Sequence, residues 1–185
     1  MRSDARRNRH AITEAALTVF ASQGVHAGLE QIARAAGVSV GTIYNRFGDR
    51  NGLIAETFIP RIDEGNALLA KARRSTSAWD GLVWYLIELG RLQVADLGFR
   101  QVCTLAFEPG SPIAEAKTAT VLGFTELVQR AHAQGTLRAD VTVEDLGALH
   151  FGIIAAADTL NLPNWERLLM LALEGLGNDL GAAIR

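Results

Sequence analysis

The sequence predicts an all-α protein of about nine helices, with a small N-terminal three-helix module ahead of a larger helical body. Three observations carry that prediction. Apolar residues recur at helical spacing along nearly the whole chain, and no segment shows the strict alternation of a half-buried strand. The periodic segments are separated by helix punctuation: Gly24, Gly37, Arg74-Ser75-Thr76-Ser77, Asp96, Glu108-Pro109-Gly110-Ser111-Pro112, Gln134-Gly135 and Asn161-Leu162-Pro163-Asn164. Charge is divided unevenly, with +3 on residues 1–50 (seven Arg against Asp4, Glu14, Glu30 and Asp49) and −5 on residues 51–185 (eleven basic, sixteen acidic).

The elements follow in order. Ile12, Ala15, Ala16, Val19 and Phe20 form one apolar stripe that Gly24 stops. A short second helix runs from about Leu29 to Ala36, with Ile32, Ala33 and Ala36 inward, and Gly37 supplies the left-handed residue that ends it. Ser39 suits the N-cap of a third helix, with Val38 and Ile43 at the two staple positions. A long fourth helix spans Arg50 to about Ala72 and is interrupted by a kink at Pro60. Further helices are expected at about 78–95, 97–107, 111–134, 143–159 and 164–183. The domain boundary is placed at residue 50, giving a module over 1–50 and a body over 51–185.

On the third helix, Ile43 and Phe47 are i, i+4 and form the inward ridge. Thr42, Tyr44, Asn45 and Arg46 then point outward, and Gly41 permits close approach of something bulky. A hydroxyl, a phenol, an amide and a guanidinium on one face are groups that bond phosphate oxygens and base edges. A short helix, a tight glycine turn and a second helix make a helix-turn-helix, whose second helix enters the major groove. The basic front fits a polyanion partner; the plainer reading is chance clustering on a solvated face, with Tyr44 packed at the surface and Arg46 solvated.

Residues 5–55 resemble the DNA-binding domain of the tetracycline-repressor (TetR) family of bacterial transcription regulators. The matching residues are Ile12, Ala15, Ala16, Phe20, Gly24, Ile32-Ala33, Ala36-Gly37-Val38-Ser39, Gly41, Ile43-Tyr44, Phe47 and Leu53, in that order. The resemblance implies a DNA-binding set of Ser39, Val40, Gly41, Thr42, Tyr44, Asn45, Arg46 and Arg50. Within it Tyr44 takes a phosphate, Thr42 and Asn45 touch backbone or bases, and Val40 offers an apolar contact such as to a thymine methyl. Arg50 stands where the family usually carries a phosphate-gripping lysine, and Asp49 where it carries a capping serine. Arg2, Arg6, Arg7 and Arg9 are placed for flanking phosphates or the minor groove. Gly28 departs from a frequent capping threonine, Glu30 brings a carboxylate to the start of the second helix, and Asn51 replaces a common glutamate.

The resemblance further implies a small-molecule pocket in the body. Its candidate lining is Trp84, Glu88, Cys103, Phe107, Phe124, Val128, Phe151 and Ile154, with Leu89 as a further wall. Glu88, Gln93, Gln101, His150 and Asp158 are the polar groups available to orient a ligand, and the aromatic residues are otherwise ordinary core. The walls point to a largely apolar effector. The helices over about 143–159 and 164–183 are apolar nearly all round (Leu146, Leu149, Ile153, Ile154, Leu168, Leu169, Leu173, Leu176, Leu180, Ile184), with glycines at 147, 152, 175, 177 and 181. They are expected to form a homodimer, which the family builds as a four-helix bundle; burial within one chain is the plainer alternative.

Catalysis is not expected. The four histidines are scattered without metal-ligand spacing, Cys103 has no basic motif beside it, and no glycine-rich phosphate loop appears. No cofactor and no metal are expected. The front is basic and polar with no signal-peptide core, and no run reaches the roughly 18 apolar residues of a membrane span, so a cytoplasmic protein is expected. The reading is a dimeric repressor released from a palindromic double-stranded DNA operator by a small, largely apolar effector. The alternative is a helical protein–protein interaction regulator with no small-molecule ligand. Operator sequence, effector and regulated genes are not legible in the chain.

Overall fold

A computed structural model describes residues 2–178, with side chains from Arg6 onward. The described residues form α1 (Arg2–Gln23), α2 (Leu29–Ala35), α3 (Val40–Phe47), α4 (Arg50–Ala72), α5 (Ala78–Ala95), α6 (Leu97–Thr104), α7 (Pro112–Ala133), α8 (Val143–Thr159) and α9 (Trp165–Glu174). Their only extended pairing is an isolated antiparallel bridge, Leu137 with Gly177. The all-α expectation therefore holds. The chain divides into two compact units: residues 1–63 with 95–117, and residues 64–94 with 118–185. The first unit thus holds more than the 1–50 module, because it also takes in the start of α4 and all of α6.

In the first unit, Ile12, Ala16 and Phe20 of α1 are buried with Leu29 and Ile32 of α2 and Ile43 of α3. These are the apolar stripes read from spacing, so the period of 3.6 residues fixed which faces turn inward. Phe20 stacks on Phe58 of α4, ring centroids 6.0 Å apart. The α6 helix packs on α1, and Gly98 makes that approach possible. A Cβ there would lie 2.7 Å from the Phe58 ring and 2.9 Å from the Phe20 carbonyl oxygen. The second unit has its own core, drawn from Leu82, Tyr85 and Leu86 of α5, Leu127 and Val128 of α7, Ile154 of α8 and Leu169 of α9.

The structure departs from the sequence reading at the ends of α6 and α9 and at Pro60. The α6 helix stops at Thr104 rather than 107, and Leu105 and Phe107 follow outside any helix. The α9 helix stops at Glu174; its apolar period runs on through Leu176, but the backbone turns there and Gly177 enters the bridge to Leu137. Leu180, Gly181 and Ile184 lie outside the described residues. Pro60 does not interrupt α4, which is one helix from Arg50 to Ala72.

Candidate nucleic-acid interface and effector region

The turn between α2 and α3 is built by local chemistry. Gly37 has φ +68°, a left-handed conformation that any side chain would strain. The Val38 N–H donates to the Ala33 carbonyl at 2.9 Å and the Gly37 N–H to that of Arg34 at 3.2 Å, closing the α2 C-terminus. Ser39 caps α3: its Oγ accepts from the Thr42 N–H at 3.2 Å and lies 2.9 Å from the Thr42 hydroxyl. At the far end Asp49 Oδ1 accepts from the Gly52 N–H at 2.7 Å and so caps α4. Gly52 itself is enforced by packing, since a Cβ there would lie 2.0 Å from the Phe47 carbonyl oxygen.

With both ends fixed, α3 buries Ile43 alone. Ser39, Gly41, Tyr44, Asn45 and Arg46 are exposed; Val40, Thr42 and Phe47 are half-buried. Tyr44 exposes 49 % of its surface, a large share for an aromatic ring. Gly41 is not demanded by the fold, because a Cβ there would meet only Ser39 Oγ at an ordinary 3.7 Å. Eight expected DNA contacts thus lie on, or just beyond, one short capped helix.

Arg50 and Arg9, both expected to meet DNA, are engaged within the chain. Arg50 Nη1 donates to the carbonyls of Val25 at 3.0 Å and Ala27 at 2.7 Å, so this guanidinium ties the α1–α2 loop to α4. Arg9 pairs through both its Nε and Nη2 with the Glu56 carboxylate, at 2.6 and 2.7 Å, and lies over the Phe47 ring, 5.1 Å from its centroid. The Glu56 carboxylate holds the Arg9 pKa above its ordinary value, and Arg9 holds that of Glu56 below the usual carboxylate range. Arg6 and Arg7 are exposed on α1; the Arg2 side chain lies outside the described ones.

The expected effector residues divide between the units. Trp84, Glu88, Phe124, Val128, Phe151 and Ile154 belong to the second, Cys103 and Phe107 to the first. In the second unit, Val128 and Ile154 are core, and Trp84, Leu89 and Phe124 pack against it. Phe124 meets Tyr85 with ring centroids 5.8 Å apart, and Lys71 Nζ sits 4.5 Å over the Trp84 ring. Glu88 is held at the surface by Arg91 Nη1 at 2.6 Å, Arg91 also binding Glu166. His150 and Gln93 are buried and joined, Nε2 to Oε1, at 3.0 Å. In the first unit, Cys103 is half-buried. Lys117 lies 5.3 Å over the Phe107 ring, and its ammonium donates to the carbonyls of Val102, at 2.9 Å, and Leu105. Gln101, read as a ligand-orienting group, instead accepts from the Val25 N–H at 2.9 Å. Asp158 is exposed.

Known proteins agree with this geometry. The profile of bacterial regulatory proteins of the tetR family matches residues 12–57. The profile described as transcriptional regulator SbtR-like, C-terminal domain, matches residues 79–178. The chain belongs to the TetR family. Residues 12–57 are therefore the helix-turn-helix segment of a TetR-family transcriptional regulator. Among solved structures, a TetR regulator from Streptomyces coelicolor is 28 % identical with a TM-score of 0.58, covering 91 % of this chain and 98 % of its own. One from Mycobacterium vanbaalenii is 27 % identical with a TM-score of 0.57, over 95 % and 98 %. FadR from Bacillus subtilis, solved with stearoyl-CoA, shares the fold at 19 % identity and a TM-score of 0.66, over 89 % and 95 %. No curated protein sequence matches the chain.

The spacing of apolar residues missed Gly52 and Gln101, whose roles depend on backbone distant in sequence or on a tight inter-helix corner. The signal for Gly52 was faint: a glycine within the first turn of a helix that has no need of one. Among the described residues no helix is long and apolar enough to cross a membrane.

Proposed function

We propose that this TetR-family protein is a homodimeric repressor that reads a palindromic operator through α3 and is released by a small, largely apolar effector bound in the second unit. The observation that carries the reading is the outer face of α3. The fold leaves Tyr44 half exposed and asks for no glycine at position 41. An exposed ring beside an unforced glycine fits a helix that must lie close against another molecule. Ser39, Thr42, Tyr44, Asn45 and Arg46 supply donors for phosphates and base edges, and Val40 an apolar contact. Arg50 supports this face by holding the α1–α2 loop, and its remaining N–H groups serve phosphate. Arg9, neutralised by Glu56, contributes less than Arg6.

The dimer uses α8 and α9. On α8 the exposed Ala148, Gly152 and Ala155 make a ridge of small side chains. A Cβ added at Gly147 or Gly152 would meet nothing within 4 Å, so a second helix has room to approach. Leu160, Met170 and Leu171 add exposed apolar surface beside it. Two reading helices related by a two-fold axis suit two half-sites about one helical turn or more apart. Effector binding alters the separation of the two reading helices, and α4 with Pro60 is the element that carries the change. The coupling is reciprocal, so operator weakens effector binding by the same factor. Pro60→Ala protein that is released by effector like the wild type would remove Pro60 from this mechanism. Titration of a cognate duplex at several salt concentrations tests the main reading. Affinity should fall steeply with salt and be lost with Tyr44→Ala; a salt-insensitive complex, or one indifferent to Tyr44, would favour the interaction-regulator alternative.

A further inference from the structure

Within the core of the second unit lie two polar side chains that satisfy each other only in part. Gln93 of α5 is 0 % exposed and His150 of α8 is 1 % exposed. His150 Nε2 and Gln93 Oε1 are 3.0 Å apart. The other polar atom of each, His150 Nδ1 and Gln93 Nε2, is buried with no hydrogen-bond partner among the described residues. Such atoms are costly to a fold, and buried polar groups in folded proteins are almost always paired.

The chemistry of the missing partner follows from the pair. If Gln93 Oε1 accepts from Nε2–H, the imidazole is the neutral Nε2–H tautomer and Nδ1 is an acceptor. The Gln93 amide nitrogen then remains as a donor. Exchanging the amide's oxygen and nitrogen leaves the same demand, one donor and one acceptor. Burial pulls the His150 pKa down to about 4, so the ring carries no charge at neutral pH. This neutral pair offers no counter-charge to a carboxylate or to an ammonium. The apolar walls are close: Gly90, one turn before Gln93, has Trp165 and Ile154 packed so tightly on it that a Cβ would lie 2.6 Å from the indole. The Phe151 ring meets His150 edge-on, with centroids 5.5 Å apart.

We infer that Gln93 and His150 are the polar anchor of the effector site, and that they select an uncharged, largely apolar molecule bearing a hydrogen-bond donor and an acceptor, such as an alcohol, phenol or amide. This rests on the reading of the second unit as effector-binding and names the class of compound it takes. Replacing the anchor with apolar side chains removes both the orphan atoms and the selectivity.

The test uses the full chain with isotope-labelled histidine and two matched sets of probes: decanol, decanamide and decanoate, and naphthol, naphthamide and naphthoate. Calorimetry gives affinities for wild type, Gln93→Leu and His150→Phe, while nitrogen NMR follows His150 Nδ1. In at least one set the uncharged members should bind at least about tenfold more tightly than the carboxylate. The Nδ1 resonance should move on saturation, and both variants should lose the preference. Independently of any probe, Gln93→Met combined with His150→Leu should resist urea better than wild type, because no buried polar atom is left unpaired. Equal affinity for charged and uncharged members, no binding by any of the six, an unmoved Nδ1 resonance at saturation, or a less stable double variant each overturns the assignment. Operator binding by the wild type, measured alongside, separates the two readings. Without it the regulator reading fails; with it, release by some compound that leaves Nδ1 unmoved sinks only the anchor.

Discussion

Gln101 and Arg50 hold the two backbone groups of one residue: Gln101 Oε1 accepts from the Val25 N–H at 2.9 Å, and Arg50 Nη1 donates to the Val25 carbonyl at 3.0 Å. Val25 is 1 % exposed, so neither group has water as an alternative. The α1–α2 loop is thereby clamped between α4 and α6. Gln101→Leu leaves a buried N–H unpaired and should cost about 1–3 kcal/mol in urea unfolding. The α3 surface keeps its side chains in this variant, so operator affinity should stay near that of the wild type.

Arg50 and Tyr44 should separate in the same assays. Arg50→Ala loses two carbonyl bonds and should lower both Tm and operator affinity. Tyr44→Ala loses an exposed ring and should lower affinity with Tm nearly unchanged, since surface substitutions usually stay within about 0.5 kcal/mol. Equal Tm losses would mean that Tyr44 is a packing residue.

The two glycines on either side of this corner should differ in kind. Gly52→Ala drives a Cβ to 2.0 Å from the Phe47 carbonyl oxygen and must shift the α3–α4 junction. Gly41→Ala meets nothing closer than 3.7 Å. It should leave stability equal or raise it by about 0.5–1 kcal/mol from helix propensity, yet weaken operator binding. Thermal unfolding and duplex titration on the same two variants check both statements.

Much of the candidate interface was legible in the chain because its causes are local. Gly37, Ser39 and Asp49 act on backbone within a few residues, and Ile43 is placed by the helical period. The sequence points to Arg50 as a phosphate contact, but its bonds to the carbonyls at positions 25 and 27 are not legible there, because those groups lie a whole helix-turn-helix away in sequence. Arg9 was likewise assigned to phosphate, and no period shows that Glu56 meets it. The end of α9 was misjudged for the opposite reason: apolar spacing persists through Leu176, whereas the bridge of Gly177 to Leu137 ends the helix. The expected effector residues are read from sequence as walls of one pocket, but Phe107 lies beyond the end of α6, and the pairing of Gln93 with His150 needs two helices brought together.

His150 gives the protein a definite acid response. Its pKa of about 4 lies below the ordinary 6.5 because burial disfavours the charged ring. Between those values the unfolded chain binds the proton and the folded chain does not. The stability is complete above pH 6.5 and is lost as pH falls toward 4. The loss should reach about 3 kcal/mol across that window. Urea unfolding at stepped pH should show it, and His150→Leu should flatten that part of the profile.

The proposed dimer through the small-residue ridge of α8 can be broken by one substitution. Gly152→Leu places a large side chain where a Cβ now meets nothing within 4 Å. The monomer should fold with its helix content intact while sedimentation shows loss of the dimer, and operator affinity should fall with it. A variant that remains dimeric would move the interface away from α8.

The most direct test of the account is selection of genomic duplex fragments by the purified protein, followed by sequencing. The account predicts a palindromic motif whose half-sites are one helical turn or more apart, with enrichment lost in Tyr44→Ala and reduced at high salt. Recovery of no sequence above background, at low salt and with a folded dimer, would contradict the operator-binding reading and turn attention to a protein partner.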